Sequence, residues 1–199
     1  MNKIVRLGDI CDLKNGFAFK SNDYVEKSNT LNIRMSNIRP DGNFDEMHKA
    51  RYLPDSFSEK YKEFLLKDND LIIAMTDMAG DPKILGLPTI VKNSNERKFL
   101  LNQRVGKLHK FSNEIYVPYL CYFLKTLKKY FKNKGAGGLQ VNISKQEILS
   151  ANIILKPITE QKKIVTKLDT IFAEIDKNIA IKKNSSNEFN LLKLSVLKN

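Results

Sequence analysis

Arginines, lysines and side-chain amides set among turns are the groups in this 199-residue sequence best suited to chemistry, and the chemistry such groups could do is nucleic-acid recognition. A guanidinium is a rigid fork of donors that matches the acceptors of guanine, and an amide offers adenine a donor and an acceptor at once. Arg34, Asn37, Arg39, Gln140 and Asn142 are therefore candidates for reading base edges. Lys14, Lys20, Lys83, Lys132 and Lys134 are candidates for phosphate contacts, which position a protein on DNA without reading sequence. The densest run is Lys125, Lys128, Lys129, Lys132 and Lys134, with no acid between them and with Tyr130 and Phe131 interleaved. Such a run either faces phosphates or forms a solvated helix face.

Catalytic constellations are hard to find. A small magnesium-dependent nuclease would need clustered acids and a lysine, for which Asp55, Glu63 and Lys67, or Glu160 and Lys162, are the nearest approach. The first set falls in an expected amphipathic helix; Glu160 sits at a helix start, where it complements the dipole. His48 and His109 stand singly, and Cys11 and Cys121 are far apart with no Cys-x-x-Cys pair, so neither a metal site nor a disulfide framework is indicated. Gly135, Gly137 and Gly138 follow a lysine-rich helix instead of a strand, unlike a dinucleotide loop, and no Gly-x-x-x-x-Gly-Lys-Ser/Thr run exists. No Pro-Pro pair is present to build the Asn-Pro-Pro-aromatic motif with which DNA methyltransferases hold a flipped base. The expectation is a binding protein with no catalytic residue, metal or cofactor.

Composition agrees. The chain carries 34 Lys and Arg against 22 Asp and Glu, a formal charge of +12 and a pI near 9.6, which suits a polyanionic partner. No apolar run approaches the length of about 18 residues needed to span a membrane, and the first ten residues lack a signal-peptide core, so a cytoplasmic protein is expected.

The elements that must hold these residues divide at Pro157. Residues 1–157 mix short apolar runs with turn signals such as Asn15-Gly16, Pro40-Asp41-Gly42 and Gly80-Asp81-Pro82. Strands are predicted at residues 31–35, 70–75, 88–91, 104–108 and 152–155, and helices at 56–64 and 118–131, giving an α+β domain with a mixed sheet. Residues 158–199 contain no Gly or Pro and predict one long helix, with Thr159 as its N-cap, or two shorter ones with a turn near Asn184-Ser185-Ser186-Asn187. A single helix of about 40 residues would extend about 60 Å. Alternating steps of four and three place Ile164, Leu168, Ile171 and Ile175, then Phe189, Leu192 and Val196, on one stripe with a polar middle, so a coiled-coil-like partner surface is expected.

One run is more specific than composition. Leu155-Lys156-Pro157-Ile158-Thr159-Glu160-Gln161-Lys162-Lys163-Ile164-Val165, followed by Leu168-Asp169, resembles the passage from a target recognition domain into a long helix in the specificity subunits of type I restriction-modification enzymes. Lys156 stands where the family pattern has a second proline. Leu7-Gly8-Asp9-Ile10 and Gly16-Phe17-Ala18-Phe19 look like that family's opening, Ile33-Arg34 through Asn37-Ile38 like its second strand region, and Asn102-Gln103 like its mid-domain marker. Gly138-Leu139-Gln140-Val141-Asn142-Ile143-Ser144 resembles the family's Gly-x-x-Gln-x-x-Ile-Ser turn. The family's frequent early Trp is absent.

The resemblance implies residues 1–157 as a recognition domain for double-stranded DNA and 158–199 as a helix for spacing and docking. It implies methyltransferase subunits and a restriction or translocase subunit as partners, which would hold the catalytic machinery. Full specificity subunits carry two recognition domains and two helices, and this sequence has one of each without internal repeat. It looks like a half-subunit that pairs with a second copy to read a split palindromic target. The alternatives are the stand-alone nuclease above and a decoy that sequesters methyltransferase subunits.

Overall fold

A computed structural model describes residues 3–93 and 96–196, with side chains described to residue 182. The chain divides into two compact units, Met1–Ile158 and Thr159–Asn199. The first contains twelve strands: β1 (Lys3–Arg6), β2 (Asp12–Asn15), β3 (Thr30–Ile33), β4 (Tyr52–Leu53), β5 (Leu65–Leu66), β6 (Leu71–Ala74), β7 (Thr76–Met78), β8 (Pro88–Ile90), β9 (Lys98–Leu101), β10 (Val105–His109), β11 (Gln140–Asn142) and β12 (Asn152–Leu155). Helices α1 (Phe57–Lys60), α2 (Val117–Thr126), α3 (Lys128–Lys134) and α4 (Lys145–Leu149) lie between them, and α5 (Ile158–Val196) follows.

One four-stranded sheet, in the order β2-β10-β6-β8, is antiparallel throughout. A second, β4-β3-β9-β5, is mixed because β3 and β9 run parallel. Two short antiparallel pairs, β1-β12 and β7-β11, complete the α+β arrangement.

Strand alternation locates the core. Leu31 and Ile33 of β3 join Phe99 and Leu101 of β9, Ile72 and Ala74 of β6 and Val105 of β10 in one buried cluster. Leu100, pointing the other way from β9, packs with Leu53 and Phe19 beneath a set of rings that includes Phe17, Phe57 and Tyr61. Thr30 and Asn32, one step out of phase with Leu31 and Ile33, are buried polar residues outside the main apolar cluster.

All five strands expected from apolar runs are present within a residue or two of their predicted limits. The helix expected over residues 118–131 is broken at Leu127 into α2 and α3, and that over 56–64 is one turn of α-helix followed by a 3-10 turn, Lys62–Phe64. The C-terminal element is one uninterrupted helix through Asn184-Ser185-Ser186-Asn187, so the two-helix alternative does not hold.

Candidate nucleic-acid interface

Three motif segments far apart in sequence meet at one place. Phe17 N–H donates to Leu101 O (2.9 Å), Gln103 N–H donates to Phe17 O (2.9 Å), and Asn102 N–H donates to Ile33 O (3.0 Å). Gly16 is required here because a Cβ would collide with the carbonyl oxygens of Leu101 and Asn102, backbone atoms that cannot rotate away. Asn102 is buried, and its Oδ1 accepts from Arg104 N–H (3.1 Å), fixing the turn that carries Gln103 and Arg104.

A concavity of about 400 Å³ opens at this junction, lined by Phe19, Ser21, Tyr24, Arg34, Arg51, Asn102, Gln103 and Arg104. Among the described residues no carboxylate lines it, and none forms an ion pair with Arg34, Arg51 or Arg104. The Arg51 guanidinium lies 5.9 Å from the Tyr24 ring centre. Asn32 Nδ2 donates to the Tyr24 hydroxyl (2.8 Å), while Asn32 Oδ1 is buried without a hydrogen bond.

A second concavity, of about 520 Å³, is lined in part by Ser36, Ile38 and Arg39 of the segment that follows Arg34. Arg39, His48, Asp77, Met78, Asp81 and Lys83 are among its lining residues. The carboxylate of buried Asp77 accepts from the backbone N–H groups of Met78, Ile84 and Leu85, which fastens the loop bearing Asp81 and Lys83. Lys83 Nζ is 3.5 Å from Asp81 Oδ2. β11 pairs with β7 so that Gln140 faces Met78 and Asn142 faces Thr76, and Thr76 Oγ1 donates to Asn142 Oδ1 (2.7 Å). Ala136, two residues beyond the end of α3, bridges to Asn142, bringing exposed Lys132 and Lys134 toward this edge. Arg39 and Lys83 thus share a concavity with Met78 of β7, whose partner strand β11 carries Gln140 and Asn142.

Besides Asn142, whose carbonyl oxygen is taken by Thr76, Asn37 and Lys14 are expected contact residues used internally. Asn37 is buried; its Nδ2 lies within hydrogen-bonding distance of the carbonyls of Asp45 (2.9 Å), Glu46 (3.2 Å) and His48 (3.2 Å), and its Oδ1 accepts from Arg34 N–H. Its amide folds residues 38–48 back on the sheet, an arrangement hidden in sequence because its partners are backbone. Lys14 Nζ donates to Glu63 O (2.7 Å) and Glu63 Oε2 (3.1 Å) and lies 4.8 Å from the Phe64 ring centre. Lys20 is exposed. Arg51, Gln103 and Arg104 were not among the residues expected to bind; only the Asn102-Gln103 motif pointed toward them.

The nuclease set is dispersed into local roles. Asp55 Oδ1 accepts from Asn29 N–H and Thr30 Oγ1, Glu63 pairs with Lys14, and Lys67 N–H donates to Asp70. Among the described residues, no group of three or more His, Cys, Asp or Glu is placed to hold a metal ion. His109 is not isolated, as its sequence neighbours suggested: β2-β10 pairing sets it 3.7 Å from Asp12, which also receives Lys145 Nζ at 2.6 Å. The bond from Lys145 chiefly holds the Asp12 carboxyl below its usual range, and burial lowers His109. Burial pushes the Cys11 thiol up to about 12 and Cys121 to about 11, leaving both as poor nucleophiles.

On α5, Ile164, Leu168, Ile171 and Ile175 share one face by spacing, and Ile171, Ile175 and Ile179 are exposed. Phe189, Leu192 and Val196 have side chains outside the described residues. No described helix is long and apolar enough to cross a membrane.

Residues 2–190 match the family described as Type I restriction modification DNA specificity domain. The chain is 26% identical over 201 residues to the Type I restriction enzyme MjaVIII specificity subunit of Methanocaldococcus jannaschii, covering 98% of this chain and 44% of that one. It is 25% identical over 177 residues to the Type I restriction enzyme EcoAI specificity subunit of Escherichia coli, covering 86% and 28% respectively. The HsdS subunit from Thermoanaerobacter tengcongensis has a similar fold, with a TM-score of 0.60 and 19% identity over 88% of this chain and 38% of that one. The chain spans less than half the length of each curated relative it matches.

Proposed function

The chain belongs to the type I restriction-modification DNA specificity domain family, and from that premise we propose that it reads one part of a bipartite duplex target and presents it to methyltransferase subunits. The supporting observation is the gathering of cations and amides at two concavities that residues 34–39 help to line: Arg34, Arg51, Gln103 and Arg104 line one, Arg39 and Lys83 the other, with Gln140 opposite its Met78. Forked and amide donors on short, well-anchored loops are the groups that DNA phosphates and base edges require. Methylation and cleavage belong in this reading to partner subunits, and the chain works in the cytoplasm as a recognition element without chemistry of its own.

The exposed isoleucines of α5 favour a helical partner, which we assign to a second copy of the chain. An antiparallel or two-fold pairing of identical helices would fix the distance between two identical half-sites. Selection of duplexes from a random pool by the purified chain tests the DNA reading. A recurring short motif that remains enriched at rising salt is expected, whereas binding that ignores sequence, or cleavage of the duplexes in magnesium without other proteins, contradicts it.

A further inference from the structure

We infer that the concavity between Arg34, Arg51 and Arg104 is a phosphate-binding site that grips the DNA backbone next to the bases being read, an inference that rests on the DNA reading above only for the source of the phosphate. Three arginines line one space with no lining carboxylate among the described residues, and none of them forms an ion pair there, so their charges are left for a ligand. Planar forks of this kind suit the tetrahedral oxygens of a phosphate better than a single ammonium does.

Neutral donors complete the site. The Tyr24 hydroxyl accepts from Asn32, so its own proton is free to be donated, and Ser21 and Gln103 border the same space. Anchoring is strong: Asn102 pins the Arg104 turn, Asn37 pins the backbone at Arg34, and Arg51 extends over the Tyr24 ring. Placement beside the segment that leads to Arg39 lets a phosphate held here set the register of groups in the neighbouring concavity. Arg34, first assigned to base reading by its residue type, becomes a backbone contact.

Two titrations of the full chain test this. In the first, inorganic phosphate is added while the arginine Nε–H signals are followed by NMR; the signals of Arg34, Arg51 and Arg104 should move together, and Arg51→Gln or Arg104→Gln should abolish the response. In the second, duplex affinity is measured against salt for the same variants, with Arg51→Lys and Arg104→Lys as folded, charge-retaining controls. Each glutamine should lower the magnitude of the salt slope by about one and weaken binding equally on all sequences. A phosphate response with an unchanged duplex slope would keep the site but assign it to a free phosphate compound. If the unaltered chain bound no duplex, the DNA reading would fail and the phosphate titration alone would decide the site. Absence of any phosphate response together with an unchanged slope, or a loss of binding confined to one DNA sequence, overturns the inference.

Discussion

Arg34 and Arg39 stand out in the sequence because arginine is costly to bury and chemically suited to nucleic acid, and each lines a concavity. Asn37 shares their amide-or-guanidinium logic in sequence but spends its whole side chain on backbone partners. Asn37→Ala should therefore act on stability: about 1–3 kcal/mol lost, because part-buried carbonyls are left without their donor along with the lost bonds. A urea titration with unchanged m-value and lowered midpoint would show it. A variant of unaltered stability that loses only DNA affinity would return Asn37 to the interface. Arg51 and Arg104 were illegible because their proximity is made by β-sheet pairing across more than fifty residues, which leaves no local pattern.

At the level of elements, strands buried on both faces announced themselves through continuous apolar runs, as in Leu71–Ala74, where all four residues are buried. Short or polar strands such as Lys3–Arg6 and Gln140–Asn142 did not, since their residues are stabilised by a partner strand and not by their own composition. The break at Leu127 was likewise hidden, because the lysines and aromatics on both sides keep helical spacing. The start of α4 is set by a capping box in which Ser144 Oγ accepts from Glu147 N–H (3.1 Å) and Glu147 Oε2 accepts from Ser144 N–H (2.9 Å). Ser144→Ala should cost about 1 kcal/mol, read by thermal or denaturant unfolding. Bonds from the Ser144 backbone and hydroxyl hold the Glu147 carboxyl below its usual range. A depressed carboxyl contributes stability that is present above its unfolded value, about 4.3, and disappears as pH falls through the lower folded value. The stability difference between the native chain and Glu147→Gln should accordingly shrink below about pH 4; a difference that stays constant to lower pH would show that the charge is irrelevant to the cap.

The chain joins an α+β unit to a unit that is one long helix, and the Gly- and Pro-free sequence after Pro157 is the physical reason that this helix runs on without a break. Pairing through α5 predicts that light scattering of the isolated chain reports a dimer, and that Ile171→Glu with Ile175→Glu converts it to a monomer while circular dichroism of the recognition unit is preserved. A monomer in the unsubstituted chain at the same concentration would remove the second copy from the assembly.

Recognition delegated to this chain and methylation delegated to a partner is the central claim, and mapping methylated bases tests it directly. DNA is incubated with the methyltransferase subunit and methyl donor, with and without this chain, and every modified position is sequenced. Modification should appear at one recurring bipartite motif only when the chain is present, and Arg39→Ala should broaden that motif at one position. Methylation with the same sequence preference in the absence of the chain would contradict it.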